Sequence, residues 1–236
     1  MRKATWLLIF PLSVLLFSCT STQGVSQRAY KSMAPILSGG AYPNSDYLKL
    51  YSKAAPAPAG RAPVNTKRLN STFLPLLLFW MGGERLQTEI DNSYFINLFS
   101  EALRQKDKSY NLKQLLEGRS LEITLEKLPN LYRFDSSWYF FFLFFVYGFG
   151  EQQVMYSVRP ELQLSYSILE AGGRELRNGR ISVKHENMIY NKSLTSTESF
   201  TEMYFKALEN EFYNQSSNLL EQIIDEIYKL DTTHKN

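Results

Sequence analysis

The sequence predicts an α+β fold of two layers: a mixed or antiparallel sheet packed by one mid-chain helix and a long C-terminal helix or helix pair. Three patterns predict it. Leu121, Ile123 and Leu125 alternate with Glu122, Thr124 and Glu126, and apolar residues recur with one parity from Val154 to Ile168, as half-buried strands require. Phe95, Leu98, Phe99, Ala102 and Leu103 repeat at helical spacing behind the capping residues Asp91, Asn92 and Ser93. Phe200, Tyr204, Leu208, Phe212, Leu219, Ile223, Ile227 and Leu230 mark one face of a longer helix.

Taken in order, the chain opens with Met1-Arg2-Lys3 and an apolar stretch from Trp6 to Phe17, interrupted by Pro11 and Ser13. That stretch is short of the roughly 20 apolar residues needed to span a bilayer, and it reads as a secretory signal peptide over residues 1–18. Leu16-Phe17-Ser18-Cys19 resembles the lipobox of bacterial lipoproteins. The resemblance implies cleavage before Cys19 and acylation of that residue, so that the chain is held to a membrane by lipid. Thr20 follows Cys19 where Asp would favour the inner membrane, so the implied address is the outer membrane. Cys19 is the sole cysteine, and its use leaves no thiol for a disulfide or a thiolate metal site.

Residues 19–68 are rich in Ser, Ala, Gly and Pro, with Ala/Pro alternation from Ala54 to Pro63, and predict a tether. Tyr30, Tyr42, Tyr47, Leu48, Leu50 and Tyr51 are candidates for docking part of it. A single domain is expected over residues 69–236. Its first element, Thr72 to Met81, is continuously apolar and reads as a buried strand or strand pair, since Pro75 opposes a helix interior. The helix from Asp91 should run to about Gln105. In the strand series after Val154, Pro160 predicts an edge position, a bend or a bulge. Ala171-Gly172-Gly173 marks a turn and Asn178-Gly179 a second one. Thr195-Ser196-Thr197-Glu198 fits a capping box for the last helix, and Asn214 to Asn218 is the place where it would divide in two.

Residues 136–150 form an uncharged aromatic insertion up to Gly150. Trp138, Tyr139, Phe140, Phe141, Phe142, Phe144, Phe145 and Tyr147 fall within it, and both strand parities are apolar, so no alternation leaves a side for water. Trp and Tyr flank a Phe-rich centre, as at membrane interfaces. Three readings stand: a buried element of the core or of a protein interface, a loop that dips into the membrane, or the wall of an apolar ligand pocket.

The inventory of reactive groups points away from catalysis. His185 and His234 are the only histidines, and neither has a second ligand at metal-binding spacing. No phosphate-binding glycine motif and no nucleophile elbow occurs, and no cofactor is expected. The formal charge of +3 falls to about +1 once Arg2 and Lys3 are removed, and basic residues are scattered, so a nucleic-acid footprint is lacking.

In element order, and in the segments Phe95 to Leu103 and Phe200 to Leu230, the chain resembles small envelope lipoproteins with the fold of the TolB amino-terminal domain. The auxiliary lipoproteins of lipid-exporting transporters are among them. That resemblance implies a non-catalytic, lipid-anchored accessory in envelope transport or assembly, with a membrane and an envelope protein or apolar ligand as partners. The alternative is a lipid-binding carrier with an aromatic-lined pocket.

Overall fold

The computed structural model describes residues 22–54, 62–143, 146–184, 188–191 and 196–233. Cys19, Phe144, Phe145, His185 and His234 lie outside them, as do residues 1–18. The fold is α+β, with nine strands in two sheets among the described residues.

The segment expected to be a tether is largely built into the fold. Thr22–Leu37 forms helix α1, whose Val25, Ala29 and Met33 recur at intervals of one turn and are fully buried. The following loop is tied to the next helix by Asn97, which donates through Nδ2 to the carbonyls of Ile36 and Gly39 at 3.0 and 2.6 Å. Tyr42 and Tyr47 both donate to Asp107 Oδ2, at 2.7 and 2.9 Å. Leu48–Ser52 is β1, which lies parallel to β4 with Leu48 opposite Leu121. The Ala/Pro centre of the expected tether, residues 55–61, is outside the described residues. Three buried side chains and a strand pairing outweigh the Ser, Gly and Pro content that suggested a spacer.

Two long antiparallel strands come next, β2 (Val64–Pro75) and β3 (Phe79–Ile90), followed by helix α2 (Asn92–Tyr110). As expected, Asp91 caps α2, accepting from Ser93 N–H at 2.7 Å. A single turn, α3 (Leu112–Leu115), leads to β4 (Ser120–Lys127), whose Leu121, Ile123 and Leu125 are buried. The hairpin β5 (Leu131–Leu143) and β6 (Val146–Ser157) follows, then the hairpin β7 (Glu161–Leu169) and β8 (Glu175–Lys184), and β9 (Met188–Asn191).

The four-stranded sheet has the order β1-β4-β7-β8 and the five-stranded sheet β2-β3-β5-β6-β9. Pro160 lies between β6 and β7, where the chain leaves one sheet for the other. Gly173 has φ +81° and makes the β7–β8 turn. Asn178-Gly179 is no turn: β8 runs through it, and the ring of Tyr166 on β7 lies where a Cβ of Gly179 would be, at 2.6 Å.

Thr197–Thr233 is one unbroken helix, α4, about 55 Å long. Asn214 to Asn218 does not divide it, because Ser216 is buried and Leu219 and Leu220 pack immediately beyond. Its first half covers the five-stranded sheet: Phe200 meets Phe134, and Tyr204 and Phe205 meet Tyr132 edge-on. Its second half reaches the four-stranded sheet, where Glu226 pairs with Arg177 of β8 at 2.5 Å. Both sheets, α1 and α2 thereby share one core.

Candidate functional site

The helices cover only part of the five-stranded sheet. Paired residues share a face, so the helix-covered side of β3, β5 and β6 carries Leu86, Phe134 and Met155, all buried. Beyond Phe134, β5 continues for nine residues to Leu143, about 30 Å further at the usual strand rise.

A polar belt comes first. On the helix-bearing face Arg68 pairs with Glu84 at 3.4 Å, Gln153 donates to Glu151 at 2.7 Å, and Ser136 lies between these pairs. On the opposite face Arg85 pairs with Asp135 at 2.8 Å, and Tyr156 donates to Asp135 Oδ2 at 3.3 Å. An open groove of about 530 Å³ lies here, lined among others by Asn70, Thr72, Gly83, Arg85, Asp135 and Ser137.

Past the belt both faces become apolar. One carries Phe73, Trp80, Trp138, Phe140, Phe142, Phe149 and Tyr147, and the other carries Leu74, Phe79, Met81, Tyr139, Phe141, Leu143 and Val146. The helix-bearing face is laddered by Phe73–Trp138 at 6.1 Å and by the stacked Trp80–Phe140 pair at 5.1 Å. On the other face Phe79 stacks on Tyr139 at 6.4 Å. Glycines let the rings lie flat across neighbouring strands: a Cβ on Gly82 would come within 2.7 Å of the Trp138 indole, and one on Gly150 would enter the Tyr139 ring. The β2–β3 turn is closed by Leu76 N–H to Phe79 C=O at 2.8 Å and carries Leu77 at its apex.

This end stands out from the rest of the surface. Leu77 is 92% exposed, Tyr147 75% and Val146 62%, and Phe73, Leu74, Leu76, Leu78, Met81, Tyr139, Phe142, Leu143 and Phe149 are also exposed. The described part of the aromatic run is therefore not core, which overturns the core half of the reading that took it as a buried element of the core or of a protein interface. Thr72 to Met81 is the strand pair, one of the two expectations, formed by the end of β2 and the start of β3, but it is an exposed hairpin tip and not a buried one. That tip is the part sequence reasoning missed, although its unbroken apolar character matched the aromatic run. What joins the two is register, with Trp80 opposite Phe140 and Phe79 opposite Phe141.

Of the other expected residues, Glu122 and Glu126 occupy the outer face of the four-stranded sheet in ion pairs with Lys49 and Lys53, both at 2.9 Å. No group of metal-ligating side chains occurs among the described residues, and no described helix is long and apolar enough to cross a membrane. A second concavity, about 500 Å³, is lined by Tyr166, Glu175, Leu176, Arg177, Asn178 and Glu226 and holds none of the aromatic run. Comparison with family models, curated proteins and solved structures finds no match.

Proposed function

We propose that this chain is a lipid-anchored, non-catalytic accessory of the bacterial envelope, seated at the outer membrane through Cys19. The apolar end of its long strands makes a second contact with the bilayer. One observation carries the reading: a sheet end apolar on both faces and exposed, set off from the core by a charged and hydrogen-bonded belt. An exposed patch of this extent in water calls for a partner. A bilayer accounts for both faces at once, whereas a globular partner seated on one face leaves the other wet.

The dimensions agree. From Trp138 to Leu143 the strand advances about 17 Å, close to the depth of one leaflet in a hydrocarbon core of roughly 30 Å. Trp80, Trp138 and Tyr139 stand nearer the belt, where interfacial aromatics are favoured, and Leu77, Leu143 and Val146 are at the far end. The lipobox supplies the second anchor that stable attachment requires. The carrier reading has less support, because the aromatic side chains project outward rather than around a cavity.

The test uses residues 20–236, which contain every described element, without the acylated cysteine. This protein should float with phospholipid vesicles. Leu77→Asp with Tyr147→Asp changes two side chains that pack on little, so folding is kept, and should weaken vesicle binding roughly tenfold or more for each Asp. Flotation undiminished in that variant, or none in the parent, would refute the proposal.

A further inference from the structure

We infer that the open groove at the polar belt seats the head group of one phosphatidylethanolamine molecule, its phosphate on Arg85 and its ammonium on Asp135, with an acyl chain along Leu74 and Met81. The inference rests on the membrane contact just proposed and deepens it by naming the lipid that contact recognises.

The groove lies on the face opposite the helices and is built from three successive rungs of the sheet, each about 7 Å from the next. The rung nearest the core is charged, with Asn70, Arg85 and Asp135 side by side. The middle rung has Thr72 and Gln152 at its ends and Gly83 and Ser137 at its centre, and that centre makes the hollow. Gly83 cannot fill it, because a Cβ there would come within 2.6 Å of the Ser136 carbonyl oxygen. The far rung carries Leu74 and Met81, both exposed, where the apolar end begins. With that end in hydrocarbon, the charged rung stands at head-group depth. Charge at one end and apolar side chains at the other is the order in which a phospholipid runs from head group to chain.

The charges select the head group. Arg85 donates through Nε to Asp135 Oδ1 at 2.8 Å, a single contact that fixes the guanidinium and leaves both Nη groups without a hydrogen bond to any described residue. A guanidinium donates in a planar fork, so the Nη pair stays open to phosphate oxygens. Asp135 also accepts from Tyr156 at Oδ2, at 3.3 Å, and a carboxylate so engaged keeps about half of its acceptor positions. Glu84 borders the groove as well, but pairs with Arg68 on the other face. The groove therefore presents one cation beside one anion. A phosphate alone would be repelled by Asp135 and an ammonium alone by Arg85, whereas a zwitterion satisfies both. Among zwitterionic head groups, ethanolamine keeps N–H donors for Asp135 and Asn70, and the methylated nitrogen of choline has none. Lys67 and Arg133 stand one rung nearer the core, outside the groove. There they attract any anionic surface without selecting a head group, and salt screens that attraction.

The test floats residues 20–236 at high salt with vesicles of phosphatidylcholine alone, of phosphatidylcholine with phosphatidylethanolamine, and of phosphatidylcholine with phosphatidylglycerol. The parent protein should bind the phosphatidylethanolamine vesicles about tenfold more tightly than either of the others, the scale of one charge-assisted hydrogen bond. Arg85→Gln removes the phosphate donor and Ser137→Leu fills the hollow from an exposed position, where the fold is kept. Both should bring the ratio to about one. Asp135→Asn should lose the preference for phosphatidylethanolamine over phosphatidylglycerol. Each variant is scored as a ratio between vesicle kinds, so a change in overall affinity or in bilayer packing cancels. Equal binding to all three vesicles by the parent, or a phosphatidylethanolamine preference that survives in Arg85→Gln and Ser137→Leu, overturns the head-group site and leaves the membrane contact standing. Glycerophosphoethanolamine at the same head-group concentration lacks acyl chains and should leave the ratio unchanged. A ratio abolished by it would assign the groove to a soluble solute and overturn the lipid. Protein that floats with none of the vesicles refutes the membrane contact, and the head-group site with it.

Discussion

Glu126 shows what a single side chain contributes on the covered half of the molecule. On the outer face of the four-stranded sheet its carboxylate accepts from Lys53 at 2.9 Å, from Arg180 at 2.9 and 3.1 Å, and from Ser165 at 3.2 Å. It thus links the end of β1 to β4, β7 and β8. The Lys53 ammonium, with Arg180 and Ser165, holds this carboxyl below the usual carboxylate range against the opposing effect of desolvation. A depressed carboxylate stabilises the fold above its ordinary range, and that stabilisation is lost as pH falls through the depressed value. Glu126→Gln should therefore lower the thermal midpoint modestly at pH 7, because the cations are largely exposed and solvent screens them. The gap between variant and parent should close as pH drops below the carboxylate range. A gap that persists in acid would show that Glu126 acts through packing instead. Alternation in the sequence placed Glu126 on a solvated face, and the residue is there. It could not show the three partners, which come from strands distant in sequence. The same limit explains Gly179, read as a turn beside Asn178: only the cross-strand ring of Tyr166 reveals why a glycine is needed in mid-strand.

At the scale of elements, legibility followed the strength of each periodic stripe. Helix α2 was readable because five apolar positions and a capping residue agree, and α4 because its stripe continues over many turns. Helix α1 was not. Its buried stripe is one residue wide, Val25, Ala29 and Met33, in a segment with Gly24, Pro35 and the pair Gly39-Gly40. So narrow a stripe has meaning only when a groove exists to receive it, and α2, β2 and α4 are the elements beside it. β1 escaped for a similar reason: five residues become a strand through the parallel edge of β4. A direct check separates a docked helix from a spacer. Met33→Ala should cost about 2–5 kcal/mol in urea unfolding, the range for truncating a fully buried Met, whereas in a spacer it would cost nothing measurable. A loss near zero would detach α1 from the core.

For the molecule as a whole, the covered half and the apolar end can be followed separately, because the tryptophans divide between them unequally. The chain has three, Trp6 near its start and Trp80 and Trp138 in the apolar end. Within residues 20–236, both indoles sit on the helix-bearing face above the polar belt, and neither lies in the core among Phe95, Tyr132 and Phe212. Intrinsic fluorescence therefore reports on the proposed contact with no label added. Both indoles are partly exposed, Trp138 over Gly82 and Trp80 stacked on Phe140, so emission in water should be that of half-hydrated rings. Vesicles should shift it to the blue. Lipids brominated at successive depths should quench most strongly near the head-group end of one leaflet, since the strand advances about 17 Å from Trp138 to its tip. Quenching strongest at the bilayer centre would mean that the strands cross fully and that the polar belt enters the membrane. Emission unchanged by vesicles would mean that the apolar end faces protein. The sequence showed an aromatic run with no side left for water. It took the second run, folded beside the first by strand register, to turn that composition into an exposed surface of defined depth.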